Sequence, residues 1–498
     1  LNVEVSIRSL FEAPTVEGLA RRLDVGAGVR PPVERVERPA VLPLSYAQRR
    51  LWFLQRFEQS STYHIPVALH LKGDLALDVL RWALGDVVAR HESLRTVFPE
   101  VDGVPHQLIL DPAEARVQFD STPADAEDLE RLVLEESCRP FDLRVELPLR
   151  VHVFTMAPDT HLLLLVLHHI VGDGWSMGPL TRDLAEAYGA RSRGEIPAWE
   201  PLQVQYADYS IWQEKLLGDR DEPDSLLSRQ IQYWTQTLAG LPDRIALPVD
   251  RPYPEVNSYR GEWLPFGFDD SIHRGVLRLT QDSDVTLFMV LQASFTVLLT
   301  RLGAGTDIAL GSAIANRTDQ ALEDLVGFFV NTLVLRTDTS GNPTFRQLLK
   351  QVSKTDLAAY AHQDLPFDLL VETLNPQRNL SHHPLFQIMF ALQNTAQGRL
   401  SLEGLSASYE KVDTGTARFD LFLSLWERHD AGGQPVGIDG TIEYSVDLFD
   451  ATTIETLMQR WARVLEAVVA DPDQPIDGIE ITTDEERQWL LGDWSYGD

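Results

Sequence analysis

The stretch "HLLLLVLHHIVGDGWSMG", which begins at His161, constrains the fold more than any other part of the sequence. Its six consecutive apolar residues, Leu162 to Leu167, predict a strand that is buried on both faces, as in the sheet of an α/β protein. The strand runs directly into His168 and His169, and Asp173 follows four positions later. Ionisable groups at the end of so apolar a strand indicate a functional site.

The residues that follow predict a helix. Leu180, Leu184 and Tyr188 recur at a spacing of four residues, and Ser176 is a candidate N-cap. The motif therefore lies at a strand-to-helix junction, where functional residues tend to collect. Side chains alternate between the two faces of a strand, so two adjacent histidines on it cannot both face one site. One of them is expected to face the site and the other to pack into the interior.

Composition sets the class of protein. The 498 residues suggest two large domains or three smaller ones, at roughly 150 residues per domain. A hydrophobic content of 44% allows a sizeable core, and a formal charge of −31 argues against nucleic acid or an anionic membrane surface as a partner. The single cysteine, Cys138, rules out an internal disulfide framework and is typical of a reducing compartment. We interpret it as structural, because no histidine lies near it in the sequence.

The sequence also argues against a membrane protein. Its first residues, "LNVEVSIRSLFEAPT", have neither the basic start nor the apolar core of a signal peptide. The most apolar helical run, 285–300, lies between Asp284 and Arg301 and is shorter than the ~20 residues of a membrane span. It predicts a buried core helix, and we expect the protein to be cytoplasmic.

Several changes in composition divide the chain. Residues 1–24 contain a short amphipathic helix pattern, and the Pro- and Gly-rich tract 25–42 predicts an extended linker rather than a packed element. A first α/β body, 43–217, is separated by the charged break "GDRDEPDS" from a second α/β body, 226–480. Residues 481–498 then form a C-terminal linker. The prediction is two α/β lobes, with a site between them.

Taken alone, the motif "HHIVGDGWSMG" allows several kinds of chemistry. One histidine could act as a general base while Asp173 fixes the geometry through a buried ion pair. His168, His169 and Asp173 are also all metal-ligand types, although adjacent histidines on a strand diverge. "GWSMG" matches the G-x-S-x-G pattern of hydrolases, with Ser176 as the nucleophile. The remaining alternative is a pair of structural histidines at a strand end.

The motif "HHIVGDG" resembles the HHxxxDG signature of the condensation domains of non-ribosomal peptide synthetases. Other segments look like the family's remaining core motifs, in the family's order, over roughly residues 42–480. These segments are "SYAQRRLWFL" (45–54), "RHESLRTVF" (90–98), "YADYSIWQ" (206–213), "VGFFVNTLVLR" (326–336), "HQDLPFD" (362–368) and "RNLSHHPL" (378–385). Residues 1–24 look like the end of an upstream carrier domain, and 481–498 like the lead-in to an adenylation domain.

This resemblance implies a fold similar to chloramphenicol acetyltransferase, in which two lobes form a V around a central channel. It implies peptide-bond formation between a donor thioester and the amine of an acceptor thioester. Both substrates would arrive on the phosphopantetheine arms of carrier domains, so the domain needs no cofactor or metal of its own. The nucleophile is then the substrate amine, and Cys138 and Ser176 are not needed for catalysis.

The resemblance also assigns residues. His169 is the second histidine of the signature and the catalytic candidate, either as a base or by orienting the amine, while His168 supports the strand end. Asp173 resembles the family's structural aspartate, which is expected to pair with an arginine. Arg317 is the first candidate for that partner and Arg95 the second.

Three further features belong to this comparison. Gly174 would let the substrate approach the backbone, and Gly172 stands where a serine or a larger residue is more usual. The pair His382–His383 lacks a following Asp-Gly and is interpreted as turn structure. The carrier fragment lacks the serine that bears phosphopantetheine, so the chain is not expected to load itself. "DGWS" and "YADYSIWQ" look closer to domains that take an L-configured donor.

Three other functions stay open at this point. A CoA-dependent acyltransferase of the same fold shares an HxxxD core, but the carrier-like and adenylation-like ends argue against it. A non-catalytic docking domain would recruit partner enzymes, but degenerate relatives usually lose the histidine pair. A serine hydrolase would use Ser176, but the sequence has no "HGGG"-type oxyanion segment.

Overall fold

A computed structural model describes residues 15–18, 30–57, 61–376, 379–393, 400–483 and 485–488. The predicted carrier fragment 1–24 and the C-terminal linker 481–498 therefore lie largely outside the described residues. Within the described part the chain is α/β, with one large sheet in each lobe and a small third sheet beside the first.

Helices and strands are mixed along the whole described chain. The helices are α1 (Tyr46–Phe57), α2 (Leu77–Arg90), α3 (Ala126–Cys138), α4 (Met177–Ser192), α5 (Tyr206–Leu217), α6 (Leu226–Thr237), α7 (Asp270–Ser283), α8 (Leu287–Arg301), α9 (Phe345–Tyr360), α10 (Phe367–Leu374) and α11 (Ala451–Ala470). The strands are β1 (Leu42–Pro43), β2 (His64–Lys72), β3 (Thr96–Val97), β4 (Glu100–Val101), β5 (Val104–Ile109), β6 (Gln118–Pro123), β7 (Leu149–Ala157), β8 (Thr160–His168), β9 (Gly261–Phe268), β10 (Asp307–Ile314), β11 (Asn331–Asp338), β12 (Ile388–Leu392), β13 (Ser406–Glu410), β14 (Leu421–His429) and β15 (Pro435–Ser445).

The apolar strand of the motif is β8, at the centre of the first large sheet. This sheet has the order β13-β2-β8-β7-β6, and β8 is antiparallel to both of its neighbours. Leu162 to Leu167 are at most 1% exposed and share one core with residues from α2, α3 and α4. The strand is buried on both faces, which is why its apolar run is unbroken.

The second lobe is built on a six-stranded sheet of order β11-β10-β12-β14-β15-β9. Its core contains most of α8, the helix predicted from the apolar run 285–300, together with residues of α7, α9 and α11. The α8 helix is buried on all sides, and Thr286 caps it by accepting a hydrogen bond from the Met289 amide at 3.2 Å. The prediction of a buried core helix is confirmed.

The lobes are also joined through backbone pairing. β13 follows β12 of the second sheet in the chain, yet it pairs antiparallel with β2 at the edge of the first sheet. Tyr409 lies opposite Leu69 in this ladder. The first lobe is therefore completed by a strand from the second half of the sequence.

Among the described residues no single helix is long and apolar enough to cross a membrane. The helices α7 and α8 reach that length and apolar content only together, as a pair bent by 107°.

Residues 30–42, the described part of the predicted linker 25–42, are packed against the rest of the chain rather than free. Val33 is 5% exposed within a cluster that includes Trp212. Arg30 lies 2.6 Å from Asp364. Proline restricts φ, which is why the composition predicted an extended tract, but the composition carried no information on where the side chains between the prolines pack.

One buried carboxyl group predicts a pH-dependent stability. Asp356 in α9 is fully buried, and among the described residues its carboxylate accepts a single hydrogen bond, from Gln292 Nε2 at 3.3 Å; burial raises its pKa from 3.8 to about 7. The folded state therefore binds this proton more tightly than the unfolded state. The resulting stabilisation is complete below pH 3.8 and is lost as the pH rises through about 7.

We expect Asp356→Asn to remove this loss. At about pH 8.5 the variant should be more stable than the wild type by about 2 to 4 kcal/mol, and near pH 4 the difference should be small. Denaturant unfolding at both pH values measures it, with the exposed Asp102→Asn as the control for removing one charge. An equal difference at both pH values would contradict the prediction.

Candidate active site

β8 ends at His168, and the chain then forms a 3-10 turn over His169–Val171. The His168 ring is fully buried, and its Nδ1 accepts a hydrogen bond from the Ile170 amide at 3.1 Å. This bond ends the strand and starts the turn. The two histidines take different environments because only His168 belongs to the strand, while His169 begins the turn and is partly exposed.

The His169 ring has a defined tautomer. Its Nδ1 lies 2.9 Å from the carbonyl oxygen of Gly172, which can only accept, so Nδ1 carries the proton. The edge of Phe328, from the second lobe, lies against the ring at a centroid distance of 5.1 Å. Nε2 of the neutral ring then holds a lone pair, and in the described part of the chain no group is hydrogen-bonded to it. His169 can therefore accept one hydrogen bond from a substrate.

His169 is neutral at physiological pH. Its pKa is lowered from 6.5 to about 3, first because burial disfavours the charged ring and then because of the positive charge of Arg418. Arg418 comes from the second lobe, donates its Nε–H to Thr62 O at 2.7 Å and stacks over Tyr63 at 4.3 Å. The imidazole is thus a weak base.

Asp173 is fully buried and joins the two lobes. Its Oδ1 accepts from the Ser176 amide at 2.9 Å, the Ser176 hydroxyl at 2.8 Å and Arg317 Nη2 at 3.3 Å. Its Oδ2 accepts from the backbone amides of Phe329 at 2.9 Å and Val330 at 3.3 Å. Arg317 and both of these amides belong to the second lobe.

Of the two candidate arginines, the structure brings Arg317 to Asp173. The Arg317 side chain is only 6% exposed, and it also donates to the carbonyl of Leu325 at 2.8 Å. Arg95 instead donates to the carbonyl of Leu110 and lies 3.5 Å from Glu92.

Ser176 has a different role from the N-cap predicted for α4. It stands at the N-cap position, but its side chain makes no capping bond to the helix. Its buried hydroxyl lies 2.8 Å from both Asp173 Oδ1 and the Gly327 carbonyl oxygen, and 3.1 Å from Arg317 Nη2. The cap prediction is wrong because these partners are stronger competitors. Within the described ranges no histidine nitrogen is bonded to this hydroxyl, so the arrangement does not activate it as a nucleophile.

The glycines of the motif differ in their surroundings. Gly174 is exposed, and a Cβ atom built there would meet no atom within 4 Å. The described residues therefore do not require a glycine at this position for packing. The space beside Gly174 is open. A Cβ at Gly172 would make an ordinary contact with Leu167 at 3.5 Å.

Two residues of this site, Tyr206 and Gly327, lie in the motifs "YADYSIWQ" and "VGFFVNTLVLR" but were not predicted as site residues. A Cβ atom at Gly327 would lie 2.2 Å from the ring of Tyr206, so only glycine fits there. The Tyr206 hydroxyl donates to the Phe328 carbonyl at 2.6 Å and lies 2.8 Å from Ser45 Oγ. The contact between Gly327 and Tyr206 joins residues more than 100 positions apart, so no local pattern predicts it. The presence of both family motifs was the one sequence signal that could have pointed to these residues.

The metal-site alternative for the motif finds no support in its geometry. Both ring nitrogens of His168 and Nδ1 of His169 are already hydrogen-bonded to the protein. Three ligand-type side chains do meet in the second lobe, His273, Glu427 and His429. There, His273 Nδ1 accepts from the Gly437 amide at 3.2 Å, so its Nε2 carries a proton and donates it to Glu427 at 2.9 Å. A protonated nitrogen is not a metal ligand.

The remaining candidates lie apart from the motif. His382 and His383 are in a connecting segment before β12, where the His382 ring bonds Ser381 Oγ at 2.9 Å and the His383 ring packs against Phe386. Cys138 is the last residue of α3 and is partly buried.

Two α/β lobes meet at the turn that carries His169, where Asp173 of the first lobe binds Arg317 and the backbone amides of Phe329 and Val330 of the second. The chain belongs to the condensation-domain family, whose sequence profile matches residues 39–491.

Two curated relatives are similar over nearly the whole chain. A probable non-canonical nonribosomal peptide synthetase, CymA of Salinispora arenicola, is 52% identical over 495 residues, which cover 99% of this chain and 6% of the relative. A dimodular nonribosomal peptide synthase of Bacillus subtilis is 49% identical over 495 residues, which cover 99% of this chain and 21% of the relative. The chain thus spans a small part of these synthetases.

Solved structures share the fold. The X-domain from teicoplanin biosynthesis, also solved in complex with OxyB, is 36% identical with a TM-score of 0.85, covering 91% of this chain and 100% of that chain. The first condensation domain of the calcium-dependent antibiotic synthetase, solved with a substrate analogue, is 20% identical with a TM-score of 0.71, covering 89% and 100%. The predicted two-lobed fold is confirmed.

The ion pair between Asp173 and Arg317 predicts that substitutions of these two residues have strongly non-additive effects on stability. We expect Arg317→Met to lower the free energy of unfolding by about 3 to 5 kcal/mol, because it leaves the Asp173 carboxylate buried without its cation. The double variant Arg317→Met, Asp173→Asn should lose less free energy of unfolding than the sum of the losses in the two single variants. A double-mutant cycle by denaturant unfolding measures the coupling, and additive losses would contradict it.

Proposed function

We propose that this chain forms a peptide bond between a donor aminoacyl or peptidyl thioester and the amine of an acceptor aminoacyl thioester. The observation that carries the proposal is the lone pair on His169 Nε2, held at the junction of the lobes beside the open space at Gly174. A rigid acceptor at that point suits an N–H group that enters between the lobes. The family membership of the chain supports the same reaction.

The geometry favours positioning over strong base catalysis. The acceptor amine donates an N–H to His169 Nε2 and directs its own lone pair at the thioester carbonyl carbon. The new C–N bond forms, the C–S bond breaks, and the amine proton leaves as the donor arm departs as a thiol. Because the thioester is already activated, holding the two groups in place can supply ~7 to 11 kcal/mol of the barrier.

Condensation domains of these synthetases work with partner carrier domains that bear phosphopantetheine, and with adenylation domains. For this chain we propose an upstream carrier as donor, a downstream carrier as acceptor and an L-configured donor residue. Residues 1–24 are then the end of the upstream carrier, and 481–498 lead toward an adenylation domain. We propose the cytoplasm as its location.

One comparison favours a second candidate, a non-catalytic docking domain. The X-domain is similar to 91% of this chain, and the X-domain has been solved in complex with OxyB. His168, His169 and Asp173 are all retained, the His168 ring and the Asp173 carboxylate are held by hydrogen bonds, and Nε2 of His169 is left open, which argues for the catalytic alternative. A CoA-dependent acyltransferase would also use this histidine but would need no carrier domains.

The first test follows the mass of the acceptor carrier. We expect it to gain the mass of the donor acyl group when the chain is mixed with a loaded donor carrier and a loaded acceptor carrier. His169→Ala should reduce the rate at least about 100-fold without loss of folding, and the exposed His429→Ala should leave it unchanged. Transfer from acyl-CoA without carriers would favour the acyltransferase, and no transfer with several substrate pairs would favour the docking domain.

The second test is the pH dependence of the rate. With a pKa of about 3, His169 stays neutral from about pH 5.5 to about pH 8.5, so it should add no inflection near 6.5. The rate should rise with pH only as the substrate amine loses its proton. Two acceptors of different amine basicity separate these cases, because the inflection should move with the amine. An inflection that stays near 6.5 for both would contradict positioning.

A further inference from the structure

Helix α1 presents two buried glutamines to the turn that carries His169. Gln48 and Gln55 are seven residues apart, which is close to two helical turns, so they lie on one face. Gln48 is 1% exposed and Gln55 is 8% exposed. Buried amide groups are costly unless they are hydrogen-bonded, so the partners of these two side chains matter.

Gln55 binds the residue before the turn. Its Nε2 donates to the Phe141 carbonyl at 3.4 Å, which directs its Oε1 toward His168 Nε2 at 3.3 Å. The Gln55 oxygen can only accept, so His168 Nε2 carries the ring proton. The other side of the ring leads to the same tautomer, because Nδ1 accepts the Ile170 amide and must be unprotonated.

Gln48 binds the turn itself. Its Oε1 accepts from the Ser45 amide at 3.1 Å, and its Nε2 donates to the Ile170 carbonyl at 3.3 Å. The backbone amide of Gln48 in turn donates to Ser45 Oγ at 3.1 Å, and this reciprocal pair of bonds with Ser45 fixes Gln48 at the start of α1. Both the amide and the carbonyl of Ile170 are thus controlled from this helix, one directly and one through His168.

We propose that Gln48 and Gln55 are positioning residues for this reaction: Gln55, together with the Ile170 amide, sets the His168 tautomer, and Gln48 holds the turn that presents His169. The inference rests on the proposed function for its kinetic consequence but not for its structural one. A proton on His168 Nδ1 would face the Ile170 amide proton, and the bond that ends the strand would be lost. His169 would then leave the orientation in which Nε2 is open to the substrate.

The experiment uses the whole chain with ¹⁵N-labelled histidine. The ring nitrogen signals of His168 are identified by their absence from His168→Asn, and they report which nitrogen carries the proton. The same proteins are assayed for condensation, with separate kcat and KM values for each carrier. The variants are Gln55→Met, which removes the acceptor at similar size, Gln55→Glu, which keeps an acceptor, and Gln48→Met. Gln230→Met, a buried glutamine in α6, is the matched control.

We expect the wild type to carry the His168 proton on Nε2. In Gln55→Met the Nε2 proton loses its acceptor while the Ile170 amide still opposes a proton on Nδ1, so only part of the population should shift to Nδ1, and kcat should fall about tenfold with little change in KM. Gln55→Glu keeps an acceptor and should retain the wild-type tautomer and most of kcat. Gln48→Met should lower kcat and leave the tautomer unchanged, and Gln230→Met should change neither.

Two results would overturn the inference: a wild-type proton on Nδ1, or an unchanged tautomer and kcat in Gln55→Met. If Gln55→Met does not fold, the wild-type and Gln55→Glu spectra decide the tautomer. If the wild type forms no peptide bond, the proposed function fails, and the spectra of the wild type and Gln55→Met still decide the structural inference.

Discussion

The buried carboxylate of Asp173 is the interaction on which the rest of this structure depends. A charge without solvent needs compensation, and every partner that supplies it is fixed in position as a result. Arg317 and the amides of Phe329 and Val330 bring the second lobe to the first. The close approach of this segment explains Gly327, whose lack of a side chain lets it pass over Tyr206.

The same loop determines what kind of chemistry His169 can perform. Gly172 fixes the proton on Nδ1, and burial together with Arg418 keeps the ring uncharged. A group with these properties accepts a hydrogen bond well and takes up a proton poorly. The site is therefore suited to a reaction in which the electrophile arrives already activated and the two reactants need to be aligned.

The elements that were predicted from the sequence are those with a local pattern or a family motif. The run Leu162 to Leu167 identified β8, because a strand buried on both faces needs no polar residue, and the pattern over 285–300 identified α8 for the same reason. Ser176 was misjudged, because a serine before a helix is usually its cap, and the competing carboxylate could be recognised only in three dimensions. The pairing of β13 with β2 could not be predicted, since Leu69 and Tyr409 are far apart in the chain and no local signal connects them. The packing of Val33 was missed for the same reason.

The position of β13 has a consequence for how the protein reaches its folded state. When the ribosome has made the first lobe, the outer edge of β2 still lacks its partner, and the backbone groups there are open to pairing with other chains. That edge is closed only after Glu410 has emerged, when most of the second lobe has been synthesised. The first lobe is thus synthesised first, but its sheet is completed only when β13 has been made. Between these two events a nascent chain of this kind is most exposed to aggregation.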